Sequence, residues 1–161
     1  MFRSKSKPQE RTPWNKGKLV GQKSPFTMQE IWSIRMRLRT IGNRRDLALF
    51  NLAIDSKLRG CDLVRLRVSD VASGGEILSR ATVRQSKTKR PVRFEITERT
   101  RKSIQDWIGT AQLTESDYLF PSRERRSPHR STRQYARIVN DWVRAIGLDP
   151  GAYGRHSLRR T

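Results

Sequence analysis

Gly154-Arg155-His156-Ser157-Leu158-Arg159-Arg160-Thr161 is the stretch from which the rest of the chain is read. His156 and Arg159 stand three apart, the spacing that puts two side chains on one face of a helical turn. Both donate hydrogen bonds, and the guanidinium of Arg159 forks onto the oxygens of a phosphate. In a chain rich in arginine an H-x-x-R string occurs often by chance, so it takes its meaning from two earlier stretches. Leu58-Arg59-Gly60-Cys61-Asp62-Leu63 sets an arginine three residues before a carboxylate. Gln85-Ser86-Lys87-Thr88-Lys89-Arg90 is a basic turn between two strand-like runs.

Charge narrows the partners. The 161 residues hold 35 Lys and Arg against 15 Asp and Glu, a net charge of +20, which points to a polyanion and above all to nucleic acid. Charge alone leaves open a small basic protein that binds phosphates without chemistry. The length fits one domain, or one domain with a tail, and 34% apolar residues suffice for a modest core. A single cysteine rules out a disulfide framework and fits a reducing cytoplasm. With two histidines beside it, too few ligands remain for a zinc site, so neither metal nor cofactor is expected. No apolar run reaches 18 residues and the N-terminus lacks an apolar secretory core, so a membrane span and a signal peptide are not expected.

Residues 1–23 are polar, basic and broken by Pro8, Pro13, Gly17 and Gly21; they read as a disordered arm in which Trp14 is a possible anchor. Thr27 and Glu30 form a capping box for a helix whose core face is Ile31, Ile34, Leu38 and Ile41, closed by Gly42. Asn43 caps a second helix with Asp46 at its third position; Leu47, Phe50, Ile54 and Leu58 face inward, and Arg59 rides on its end. A short turn with Leu63 and Leu66 buried carries Asp62, three residues from Arg59 and within reach of it. By itself that pair reads as a surface ion pair worth about 0–1 kcal/mol. Ile77 to Gln85 and Val92 to Ile96 alternate as the strands of a hairpin with a basic tip, Pro91 opening the second. Thr97 caps a third helix with Ile104, Trp107 and Ile108 inward. Asp117 to Ser122 is a turn, and a basic loop holding His129 follows. A helix from about Thr132 then buries Tyr135, Ile138, Val139, Trp142 and Ile146 before Gly147. The order of elements is α+β, predominantly helical with a small antiparallel hairpin or sheet.

Arginine and carboxylate, then hairpin lysine, then H-x-L-R, in that order from about Ser24 onward, resembles the catalytic domain of the tyrosine recombinase (phage integrase) family. The resemblance implies the DNA breaking and rejoining fold over residues 24–161. It implies strand cleavage through a 3′-phosphotyrosyl link, as in type IB topoisomerases, serving DNA integration and recombination. Arg59, His156 and Arg159 would stabilise charge on the non-bridging oxygens, with Asp62 positioning Arg59. Lys87 would protonate the leaving 5′-oxygen, with Lys89 as the alternative. Lys89, Arg90, Arg126, Arg130 and Arg160 are the expected contacts to double-stranded DNA, on which the family self-assembles in the nucleoid. Tyr118, Tyr135 and Tyr153 all precede the H-x-x-R, so no nucleophile is nominated in this chain and the domain reads as C-terminally incomplete. The alternative is a non-catalytic DNA-binding module derived from, or resembling, the same domain.

Overall fold

The structure, a computed structural model, describes residues 22–123 and 127–161. The Trp14 anchor, most of the expected arm and Arg126 therefore lie outside the described residues. Helix α1 (Met28–Thr40) starts at the capping box: the Glu30 amide donates to Thr27 Oγ1 at 3.2 Å and the Thr27 amide to Glu30 Oε2 at 2.8 Å. Ile31, Ile34 and Leu38 enter the core. Ile41, expected as the fourth member of that face, is 59% exposed, because the helix has ended and the chain swings away at Gly42 (φ +69°).

Helix α2 (Arg44–Ser56) is capped by Asn43, whose side-chain oxygen accepts from the Asp46 amide at 3.1 Å. It is the central element. Ala48, Leu49, Phe50 and Leu52 are all fully buried, a wider apolar arc than the expected stripe, because α1, α5, α7 and the last strand of the hairpin pack round it and Trp142 sits edge-on to Phe50. Lys57 then adopts the left-handed conformation (φ 55°) and ends the helix. Arg59 is thus not carried on α2, as the sequence suggested, but stands at the N-cap of α3 (Gly60–Leu63).

After α4 (Val68–Val71) the chain makes a small hairpin that the sequence did not disclose, β1 (Ala72–Ser73) with β2 (Glu76–Ile77), turned on Gly74 and Gly75 at φ +60° and +82°. The strand expected from Ile77 to Gln85 is therefore split. Ile77 pairs with Ala72, and β3 (Arg80–Arg84) begins afresh, running antiparallel to β4 (Pro91–Glu95) from Arg80 opposite Glu95 to Arg84 opposite Pro91. Ala81 and Phe94, cross-strand partners, point into the core.

Helix α5 (Glu98–Ala111) follows Thr97 as expected, but the Thr97 hydroxyl caps no amide of the helix; it donates to Asp55 Oδ2 at 2.9 Å, tying α5 to α2. Helix α6 (Thr132–Ala145) buries Tyr135, Val139, Trp142 and Val143, leaving Ile138 and Ile146 half-buried, and α7 (Arg155–Arg160) ends the chain. Seven helices with two two-stranded antiparallel sheets among the described residues make the α+β class read from the element order.

Candidate functional site

Three stretches far apart in sequence converge where α2 gives way to α3. Arg59 is extended (φ −65°, ψ 150°) and half-buried, and its Nη1 is buried with no hydrogen-bond partner. Such an orphan donor costs about 1–3 kcal/mol unless an acceptor arrives. Gly60 lets other elements close on this joint. A Cβ there would lie 3.1 Å from Tyr135 Cδ1 on α6 and 3.7 Å from Arg155 Cδ on α7.

Helix α7 supplies the second stretch. Ser157 and Leu158 are fully buried while His156, Arg159 and Arg160 are exposed, so the first and fourth residues of H-x-x-R share the outward face that their spacing implied. Gly154 donates its amide to Ser157 Oγ at 3.1 Å and fixes the helix start. Arg159 Nε donates to the carbonyl of Lys57 at 2.9 Å, two residues before Arg59, and Lys57 Nζ donates to the Thr161 carbonyl. Burial, with Arg155, Arg159, Lys23 and Arg160 around it, holds the His156 imidazole below its ordinary pKa, so the ring is neutral at pH 7. Arg160 donates to the carbonyl of Lys23 at 3.1 Å and to the side chain of Gln22. These bonds lie against its own chain, and the side chain is exposed. Lys23, placed by sequence in the arm, donates to the carbonyls of Pro150 (3.2 Å) and Gly151 and belongs to the domain.

The hairpin loop is the third. Asp62 is 3% exposed; its Oδ1 accepts the Ser86 amide at 2.9 Å and its Oδ2 is buried without a partner. The expected contact from Asp62 to Arg59 is not formed. Ion pairs among the described residues join Arg45 to Asp46, Arg80 to Glu95 and Arg144 to Asp141. With its carboxylate turned to the hairpin, Asp62 fixes the loop that bears the lysines. Arg65 Nη1 adds a bond to Ser86 Oγ at 3.1 Å. Within the loop the Lys89 amide donates to Gln85 O at 3.0 Å, with Lys89 left-handed at φ 58°. Lys87, Lys89 and Arg90 are all exposed.

The remaining nominations fall elsewhere. Arg130 is 9% exposed, because its amide donates to Phe120 O at 3.1 Å and Pro121 bridges to His129; it lines a cleft at the opposite end of α2 rather than an open surface. His129 Nδ1 donates to the Arg130 carbonyl at 2.8 Å, and its ring leans on Tyr118 at 5.0 Å. The tyrosines are committed to packing. The Tyr118 hydroxyl accepts from Arg67 at 3.1 Å, Tyr153 stacks on Phe26 at 5.4 Å, and the Tyr135 hydroxyl is driven far above its usual pKa by burial. Lys57, Arg65, Ser86 and Arg155 shape the site and were not anticipated. The glycine between Arg59 and Asp62 was the one local signal. Among the described residues no cluster of three His, Cys, Asp or Glu suits a metal ion, and no helix is long and apolar enough to cross a membrane.

An arginine with an unsatisfied donor, a neutral imidazole, a second guanidinium and an exposed ammonium on the adjoining loop are donors suited to a phosphoryl group that gains charge. Known proteins share the fold that carries these residues. Residues 26–161 match the phage integrase family. The probable integrase/recombinase YoeC of Bacillus subtilis (strain 168) is 34% identical over 119 residues, covering 74% of this chain and 61% of that protein. The crystal structure of XerA recombinase superposes with a TM-score of 0.70 at 20% identity, over 86% of this chain and 48% of that one. A lambda integrase dimer bound to a COC′ core site gives a TM-score of 0.62 at 19% identity, over 86% and 39%. The chain thus spans about three fifths of its curated relative and half or less of these structures.

Proposed function

The chain belongs to the phage integrase family, and on that premise we propose that it binds double-stranded DNA and supplies the phosphate-handling half of a strand-breaking and rejoining site. The carrying observation is the convergence at Lys57–Asp62, where the orphaned Arg59 guanidinium, the α7 helix hooked on by Arg159, and the lysine-bearing loop hooked on by Asp62 meet. A tyrosine hydroxyl other than the packed Tyr118, Tyr135 and Tyr153 attacks phosphorus and releases its proton to solvent; its oxygen forms the new P–O bond, and the bond to the 5′-oxygen breaks. Arg59, His156 and Arg159 hold the charge that accumulates on the non-bridging oxygens. Lys87 donates its proton to the departing 5′-oxygen. The 3′-phosphotyrosyl link conserves the phosphodiester, so rejoining needs no cofactor.

Titration of a duplex from low to high salt tests the binding half. Log K falls by about 0.9 per neutralised phosphate for each decade of salt; a flat response removes nucleic acid as the partner. A second reading, DNA binding without cleavage by these residues, draws on the packing of all three tyrosines. A covalent adduct formed by this chain and mapped to Tyr153 would refute it. Self-assembly on DNA belongs to the same proposal and is read from the mobility of the complex as protein is added.

A further inference from the structure

We propose that the cleft at the N-terminal end of α2 is a second phosphate site, separate from the cleavage face. Arg44, Arg45, Arg123 and Arg130 line it with Trp107 and Thr110, around a volume of about 530 Å³. Among the described residues these four guanidiniums have Asp46 as their nearby carboxylate, and that group is already engaged. Its Oδ1 takes Arg45 at 2.6 Å and its Oδ2 takes the Trp142 indole N–H at 3.0 Å. Arg44 uses one nitrogen on Thr110 Oγ1 at 2.8 Å.

Arg130 carries the argument. It is 9% exposed, and its Nε is buried without a partner in the wall of this cleft. Burial and the neighbouring Arg45 and Arg123 weaken its hold on its proton, with Asp46 offsetting part of this. Arg44 and Arg45 also occupy the first turn of α2, the positive end of the helix dipole, where a cation is disfavoured and an anion is stabilised. The buried donor, the crowded cations and the dipole all ask for negative charge at one place.

The chemistry favours phosphate over carboxylate. A carboxylate offers two oxygens in one plane, suited to one guanidinium fork. Here the forks come from the start of α2, from Arg123 and from Arg130, so a tetrahedral anion meets more of them. The scissile phosphate is not this ligand, because the 13 residues of α2 span roughly 20 Å between the two ends. The phosphate comes either from the backbone of another stretch of duplex or from a small phosphate.

The test follows the arginine Nε–H resonances of the full chain by NMR as inorganic phosphate is added, with acetate and chloride at matched ionic strength as controls. The Arg130 Nε–H signal shifts saturably with phosphate alone, and still does so in Arg59→Ala. Arg44→Gln, on the exposed rim, weakens phosphate about tenfold, the loss of one charge-assisted bond. Arg130→Gln abolishes a phosphate-induced rise in the unfolding midpoint; should that variant not fold, the wild-type titration and Arg44→Gln decide. A short duplex then separates the sources. Competition with phosphate, and a salt slope shallower by about 0.9 in Arg44→Gln, assign the site to DNA backbone; their absence assigns it to a small phosphate. No saturable Arg130 shift overturns the proposal. An equal response to acetate overturns it too, making the cleft a carboxylate site for an acidic peptide.

Discussion

Both ends of α2 hold an arginine with a buried, unsatisfied nitrogen, Arg59 Nη1 at one and Arg130 Nε at the other, yet the two ends are built differently. At the C-terminal end the helix is stopped by left-handed Lys57, and two outside elements are tied to the joint by hydrogen bonds, among them Arg159 to Lys57 and the Ser86 amide to Asp62. Its cations are spread over α7, the hairpin loop and α3, so several directions of approach to one phosphate are covered. At the N-terminal end the cations crowd one cleft and repel one another, with Asp46 as their nearby counter-charge. On the two readings proposed above, the contrast separates a site arranged to act on a phosphate from one arranged to hold it. Charge density is no guide to which is which; the attachment of each group to a different element is.

The largest expected effect lies in the hairpin. In a polypeptide that carries the nucleophilic tyrosine, Lys87→Ala slows cleavage of normal DNA by roughly 10²–10⁴-fold. It cleaves DNA with a 5′-bridging sulfur at near the wild-type rate, since a thiolate of pKa about 8.5 leaves without a proton. Lys89→Ala changes neither strongly. Rescue of Lys89→Ala instead would move the acid by two residues and still leave it on the loop that Asp62 anchors.

Arg59→Ala and Arg159→Ala each reduce cleavage by about 10²–10³-fold. Neither is rescued by sulfur, because the non-bridging charge they meet is unchanged. Rescue of either would break the division of labour between the joint and the loop.

The packing difference is tested by adding one methyl group. Gly60→Ala drives a Cβ to 3.1 Å from Tyr135 Cδ1 and 3.3 Å from Cε1, and should cost about 1–3 kcal/mol in urea denaturation. Gly42→Ala, near the other end, meets nothing within 4 Å and bears only the strain of its left-handed backbone (φ +69°), about 1 kcal/mol. Equal losses would mean that α6 and α7 are not seated on Gly60.

The smallest effect is a pH slope. His156 binds its proton less readily in the folded chain than its ordinary pKa of about 6.5 would give. Between that depressed value and 6.5 the unfolded chain carries more protons, so stability falls as pH drops through this range. DNA phosphates reverse the repulsion and favour the imidazolium. Duplex affinity therefore rises as pH falls through the same range, by at most tenfold per pH unit. His156→Gln flattens both slopes, in calorimetry and in binding.

Local features were legible in the chain. The capping box at Thr27–Glu30 and the Asn43 cap on the Asp46 amide form as read, because a cap is made by residues three apart. Gly147 takes the left-handed φ of +81° expected of a helix stop, and Pro91 opens its strand. The H-x-x-R face could be read for the same reason, since one helical turn sets it. The Ser73-Gly74-Gly75-Glu76 turn was equally local, but strands of two residues carry too little alternation to announce themselves.

The sequence by itself determined the composition of the site: an arginine before a carboxylate, a basic turn and an H-x-x-R, in an order that resembles one family. It also determined which helices could start and stop where they do. Tertiary structure alone decided that Asp62 holds Ser86 rather than Arg59, that Arg160 is bound to Gln22 and Lys23, and that Arg130 is buried beside Arg45. Each of these joins residues at least 24 positions apart. A hydrogen bond or a repulsion at that range depends on how α2, α3 and α7 pack. Spacing along the chain carries no information about it, because the side-chain periodicity of a helix or strand does not extend past the turn that ends it.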